Sequence, residues 1–124
     1  MQSSKVKVLS VGGSIIAPEG VDTGFLTRFR SAIHAYLEED LQRKLIMVSG
    51  GGMPARLYQK AYRDIVADHN SEEQDWIGIA ATRLNARLLK AVFSDQCDNE
   101  VVTDPTVVTE MKGQVLVAAG WKPG

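Results

Sequence analysis

A chain of 124 residues is long enough for one small domain with its own hydrophobic core. With 44% hydrophobic and 23% charged residues, its composition is that of an ordinary folded globular protein, neither disordered nor membrane-like. Lysine plus arginine (14) nearly balances aspartate plus glutamate (15), so no overall basic field invites nucleic acid or an anionic membrane, and any anion site has to be local. The N-terminal "MQSSKVKVLSV" is an apolar run broken by Lys5 and Lys7, too short for a signal peptide or a membrane span, so a cytoplasmic location is expected.

Val6 to Val11 is a β-branched run ending at Gly12-Gly13-Ser14, which reads as a buried strand feeding a tight turn. Asp22 is a candidate N-cap for an amphipathic helix carrying Leu26, Phe29, Ile33, Leu37 and Leu41 at spacings of three and four. Leu45 to Ser49 repeats the strand-to-glycine pattern, followed by Leu57, Ala61 and Ile65 at helical spacing. "SEEQ" at Ser71 to Gln74 fits a capping box opening a long helix, whose stripe is Ile77, Ala81, Leu84, Leu88 and Val92. Val101-Val102 reads as a short strand, Pro105 to Met111 as a short helix, and Val115 to Ala119 as a further buried strand. Cys97, the only cysteine, excludes an internal disulfide and reads as an ordinary thiol. His34 and His69 have no partners at ligand spacing and read as surface or capping residues.

Strands alternating with helices predict a mostly parallel α/β sheet with helices on both faces. Ligands of such sheets sit beyond the carboxyl ends of the strands, where all three glycine clusters would gather. One glycine in such a turn often serves backbone geometry alone. Three clusters on one edge point instead to a phosphate held by free amides and a helix N-terminus. No glycine here is followed by Lys and then Ser or Thr, which rules out a Walker A loop. Gly50, Gly52 and Ala55 satisfy G-x-G-x-x-A, but the acid that should end a strand about 20 residues on falls at Asn70 to Glu72, a helix start. A dinucleotide fold stays as a weaker alternative.

Four stretches, "VLSVGGSII", "IMVSGGGMPARLY", "DWIGIAATRLNARLL" and "GQVLVAAGWKPG", in this order and spacing resemble the amino acid kinase superfamily, and within it the uridylate (UMP) kinases of archaeal type. The resemblance covers nearly the whole chain but only the N-terminal part of the family's length. It implies that residues 1–124 form an acceptor-binding lobe with the C-terminal ATP-binding half absent, and that this chain is a truncated, inactive form of an enzyme making UDP from UMP and ATP with Mg²⁺. By this likeness Gly12, Gly13, Ser14 and Gly52 would hold ATP phosphates. Gly51, Asp75, Trp121, Lys122, Pro123 and Gly124 would hold UMP. Arg56 would neutralise charge on the transferring group, as the catalytic residue. The close approach of the nucleotides' phosphates would explain why Gly50 to Gly52 lack side chains. No metal ligands are assigned.

The family further implies a homo-oligomer, a dimer through the 72–93 helix and hexamers as its habit. One departure is Ser10, where many superfamily members carry a phosphate-binding lysine; Lys7, three residues earlier, cannot simply inherit that role. Two other readings remain: a non-catalytic nucleotide- or phosphate-binding half-domain, and a kinase for another small phosphate, such as isopentenyl phosphate or carbamate kinase.

Overall fold

The computed structural model describes residues 5–107 and 110–123. Among them three β-branched and apolar runs become strands, β1 (Val6–Val11), β2 (Lys44–Ser49) and β3 (Val115–Ala118). They pair in parallel in the order β1-β2-β3, with Val6 opposite Lys44 and Leu45 opposite Val115. The strand expected at Val101-Val102 is reduced to one parallel bridge between Val102 and Ala118.

Four helices are described: α1 (Gly13–Ile16), a single turn, α2 (Thr23–Glu39), α3 (Gly52–Ile65) and α4 (Ser71–Val92). Because the strand order advances in one direction, right-handed crossovers carry α2 and the α3–α4 pair to the same side of the sheet. The core reflects this. Leu45, Met47, Val115 and Val117 pack with Leu26, Ile33 and Leu37 of α2 and with Ala86, Leu89 and Phe93 at the end of α4. Each of these side chains larger than alanine contributes roughly 1.5–3 kcal/mol on burial. The parallel α/β expectation is met, but a helical layer on both faces would need the strand order to double back. On the opposite face Val6, Val8 and Val48 are 42%, 65% and 38% exposed.

The helix boundaries follow local hydrogen bonding. Asp22 caps α2 as expected, its carboxylate accepting from the Phe25 N–H at 2.9 Å. Leu41 does not join the buried face of α2. The helix stops at Glu39, Asp40 turns extended and its carboxylate accepts the Gln42 N–H at 2.9 Å, leaving Leu41 78% exposed. The cap of α4 is Asn70 rather than Ser71, because the Asn70 carboxamide reaches the Glu73 N–H at 3.1 Å. The helix expected from Pro105 to Met111 is a turn over 105–107, where the Asp104 carboxylate accepts from both the N–H (2.9 Å) and the hydroxyl (2.6 Å) of Thr106; residues 108 and 109 lie outside the described residues.

The inward faces of α3 and α4 also differ from the apolar stripes. On α3, Leu57 and Ile65 are exposed, and the side turned to its neighbours carries Ala55, Gln59 and Tyr62. Gln59 donates to the Gln74 carbonyl at 3.0 Å, and the Tyr62 hydroxyl accepts the Asn70 N–H at 2.8 Å. On α4 the inward positions run Gly78, Thr82, Asn85, Ala86, Leu89 and Phe93, a helical repeat offset by about one residue from Ile77, Ala81, Leu84, Leu88 and Val92.

Candidate functional site

Parallel pairing puts the carboxyl ends of the strands on one edge, where β1 leads into Gly12–Ser14, β2 into Gly50–Gly52 and β3 into Gly120–Pro123. The first two loops touch. A Cβ on Gly13 would lie 2.0 Å from the Gly52 nitrogen, one on Gly52 would lie 2.2 Å from the Gly13 oxygen, and one on Gly50 would lie 2.7 Å from the Gly13 nitrogen. Gly52 also has φ +65°, a left-handed conformation that disfavours any side chain. Backbone-to-backbone contact, rather than approach of a ligand, therefore accounts for the absence of side chains at Gly13, Gly50 and Gly52. At Gly51 the obstruction is the Ala55 methyl, 2.7 Å from an added Cβ.

The contact leaves donors unused. Gly50 N–H bonds the Val11 carbonyl and Met53 N–H the Ala17 carbonyl, but no loop or cap hydrogen bond among the described residues uses the amides of Gly13, Ser14, Gly51 or Gly52. Gly51 and Gly52 also open α3, whose first turn has no acidic residue to compete for an anion. Arg56, further along α3, is exposed and makes no hydrogen bond or ion pair among the described residues. These are the elements of an anion site: orphan amides, a helix N-terminus and a free cation.

The middle of α4 crosses behind the loops that follow β2 and β3. The Asn85 side chain, 4% exposed, donates to the Gly50 carbonyl at 2.8 Å and the Gly51 carbonyl at 3.1 Å. The Thr82 hydroxyl accepts the Gly120 N–H at 2.9 Å, and Arg83 donates to the carbonyls of Gly120 (3.1 Å) and Trp121 (2.8 Å). These three side chains escaped the sequence reading because they lie off the apolar stripe. Their signal was the polar repeat Thr82–Asn85 in line with Leu89 and Phe93.

The remaining expected positions are placed less tightly. Asp75 is exposed on α4, one turn before Gly78, whose carbonyl lies 3.5 Å from the Cβ position of Gly51. The Lys122 ammonium sits 4.3 Å from the centre of the Trp121 ring. Asp104 lies near enough that Lys122 helps hold its carboxyl below the usual range, after the hydrogen bonds from Thr106. Pro123 closes the described part of the loop, and Gly124 lies outside the described residues. Lys7 is five residues before Gly12, about 16 Å along an extended strand, with its ammonium 5.7 Å from the Tyr36 ring.

His34 is half-buried: its Nε2 is buried with no hydrogen-bond partner among the described residues, and its ring lies edge-on to Phe93 at 6.0 Å. His69 lies 6.4 Å from the Tyr62 ring. The buried Cys97 thiol donates to the Asn99 carbonyl at 3.6 Å, and burial pushes its pKa up, which suits an unreactive thiol. Among the described residues no group of three or more His, Cys, Asp or Glu could hold a metal ion, and no helix is long and apolar enough to cross a membrane. An apolar groove of about 340 Å³ runs between α3 and α4, lined by Pro54, Tyr58, Ile77, Ala80, Ala81 and Leu84.

The sequence profile of the Amino acid kinase family matches residues 5–117. The chain belongs to the amino acid kinase family. Within that family it is 37% identical to the uridylate kinase of Methanococcoides burtonii, over 94% of this chain and 48% of that protein. It is 34% identical to the uridylate kinase of Halorubrum lacusprofundi, over 94% and 47%. The crystal structure of the uridylate kinase from Archaeoglobus fulgidus superposes with a TM-score of 0.76 at 33% identity, covering 96% of this chain and 51% of that one. This amino acid kinase family chain thus spans about half the length of the curated relatives it matches.

Proposed function

We propose that this chain is the N-terminal, acceptor-binding part of a UMP kinase-like domain, catalysing in its whole form the transfer of the ATP γ-phosphoryl group to UMP. The observation that carries the reading is the junction of Gly12–Ser14 with Gly50–Gly52, where the amides of Gly13, Ser14, Gly51 and Gly52 take no part in loop or cap hydrogen bonds among the described residues and α3, which carries Arg56, begins. Likeness to three archaeal uridylate kinases supports the choice of nucleotide. Phosphoryl transfer of this kind asks mainly for positioning and charge neutralisation. Gly12, Gly13, Ser14 and Gly52 hold the ATP phosphates, and Gly51, Asp75 and the Trp121–Gly124 stretch hold UMP. Arg56 balances the charge between them. Mg²⁺ is part of this reading through the family, yet the described residues offer no ligand set for it, so no step is routed through the ion.

Residues 1–124 by themselves bind nucleotide phosphate without steady turnover in this reading. The exposed face at Val6, Val8 and Val48 and the half-length coverage support that division. A non-catalytic nucleotide-binding unit is the second reading, favoured by the same coverage. The α3–α4 groove, with Leu84 67% exposed, supports a homodimer through α4; higher oligomers and a cytoplasmic location rest on family habit. Titration calorimetry of the chain with ATP and with UMP, and a coupled assay on the longest polypeptide containing it, test the proposal. Binding of both nucleotides is expected. Preference for another small phosphate over UMP would move the assignment elsewhere in the superfamily, and binding of neither would end it.

A further inference from the structure

We infer that Thr82, Arg83 and Asn85 are positioning residues, which fix from one helix the aim of the Gly50–Gly52 amides and the distance of the Gly120–Trp121 loop from them. This rests on the reading that these loops receive nucleotide phosphates.

A trans peptide unit points its carbonyl and its N–H in opposite directions. The Gly50 carbonyl and the Gly51 N–H share one unit, and the Gly51 carbonyl and the Gly52 N–H share the next. Asn85 binds both carbonyls, which turns both N–H groups away from α4, toward the side where Gly13 lies. Glycine backbone rotates such units easily, and here Asn85 holds them from the α4 side while Gly13 packs against the other. Three residues earlier on the same helix, the Thr82 hydroxyl takes the Gly120 N–H, and its methyl lies 3.7 Å from the Cβ position of Gly51. Thr82 therefore bonds one loop and lies beside the other. Arg83 completes the hold on the second loop through the two carbonyls that follow.

The Thr82 hydroxyl is itself oriented, donating to the Ile79 carbonyl at 2.7 Å, which leaves its lone pairs for Gly120. A threonine turned this way is an acceptor held in place, and neither valine nor alanine can replace it. The separation of the loops is then set by the pitch of a single rigid element, since Thr82 and Asn85 are neighbours on one helix face.

The test compares Thr82→Val, Thr82→Ser, Arg83→Lys and Asn85→Asp in the full chain, measuring Kd for ATP and for UMP by calorimetry beside thermal unfolding. Thr82→Val and Arg83→Lys are expected to weaken UMP about five- to tenfold, the worth of one hydrogen bond, and ATP less than twofold. Thr82→Ser keeps the hydroxyl and is expected to retain UMP affinity. Asn85→Asp cannot donate to the two carbonyls and is expected to weaken both nucleotides. A purely structural role predicts that in Thr82→Val and Arg83→Lys both affinities fall together with the melting temperature, and this pattern in those two variants, or unchanged UMP binding by Thr82→Val, would overturn the inference. If the unaltered chain binds neither nucleotide, the function reading fails instead. Amide exchange at Gly120 then decides the positioning role: loss of protection in Thr82→Val but not in Thr82→Ser sustains it, and equal protection in both removes it.

Discussion

Gly13 and Gly52 meet backbone to backbone, so closely that a methyl group on either would overlap the other's main chain. Two loops that are 39 positions apart in sequence thus form one surface at the carboxyl edge of the sheet. The first prediction concerns this contact. Gly13→Ala is expected to destabilise the fold by about 3 kcal/mol, because the atoms it meets are backbone and cannot swing aside. Gly20→Ala, with nothing within 4 Å of its added Cβ, is expected to stay within about 0.5 kcal/mol of the unaltered chain. Denaturant unfolding of the two variants side by side checks the difference.

Arg56 separates binding from stability. It is exposed and has no hydrogen bond or ion pair among the described residues, so Arg56→Ala should change unfolding by no more than about 0.5 kcal/mol. A charge-assisted hydrogen bond to phosphate is worth about 1.5–3 kcal/mol. At least a tenfold loss of ATP affinity is therefore expected by calorimetry, with Arg56→Lys falling between. Unchanged affinity would remove Arg56 from the site.

Asp40 gives a pH dependence at the far end of the sheet. A hydrogen bond from Lys5, then one from the Gln42 N–H, holds its carboxyl below the usual value. A folded-state pKa that is depressed means stability present above the ordinary carboxylate range and lost as pH falls through the folded value. Melting curves taken from pH 6 downward are expected to show a shallower fall for Asp40→Asn than for the unaltered chain. The gap should narrow in high salt, because the pair is solvent-exposed. An equal slope in both proteins would show that Asp40 carries none of the acid sensitivity.

Leu84 reports on assembly. It lines the α3–α4 groove and is 67% exposed, so Leu84→Lys costs a lone chain little. If the groove is a dimer face, the variant is expected to sediment as a monomer at concentrations where the unaltered chain pairs. Identical sedimentation would place the interface elsewhere.

The three strands were legible because Val6–Val11, Leu45–Ser49 and Val115–Ala119 are short runs rich in β-branched and apolar residues, each followed by a glycine-containing turn. That the glycine loops share one edge followed from parallel order alone. The inward faces of α3 and α4 were not legible. Helical periodicity identifies an apolar stripe without saying what it meets, and here the space behind α4 is filled by glycine backbone. Positions that approach it must be small or able to bond carbonyls, hence Gly78, Thr82 and Asn85, while Ile77, Ala81 and Leu84 turn to the groove. Nor could sequence tell whether the glycines make room for a ligand or for each other.

The glycine contact also acts as a gauge of strand alignment. A slip of β1 by one residue along β2 would move its side chains to the opposite face and carry Gly12 or Ser14 into the place of Gly13. With Ser14 there, its Cβ would fall within the main chain of Gly52. The pairing of Val11 with Ser49 is thereby checked at the end of the strands against a slip that would bring Ser14 into the place of Gly13.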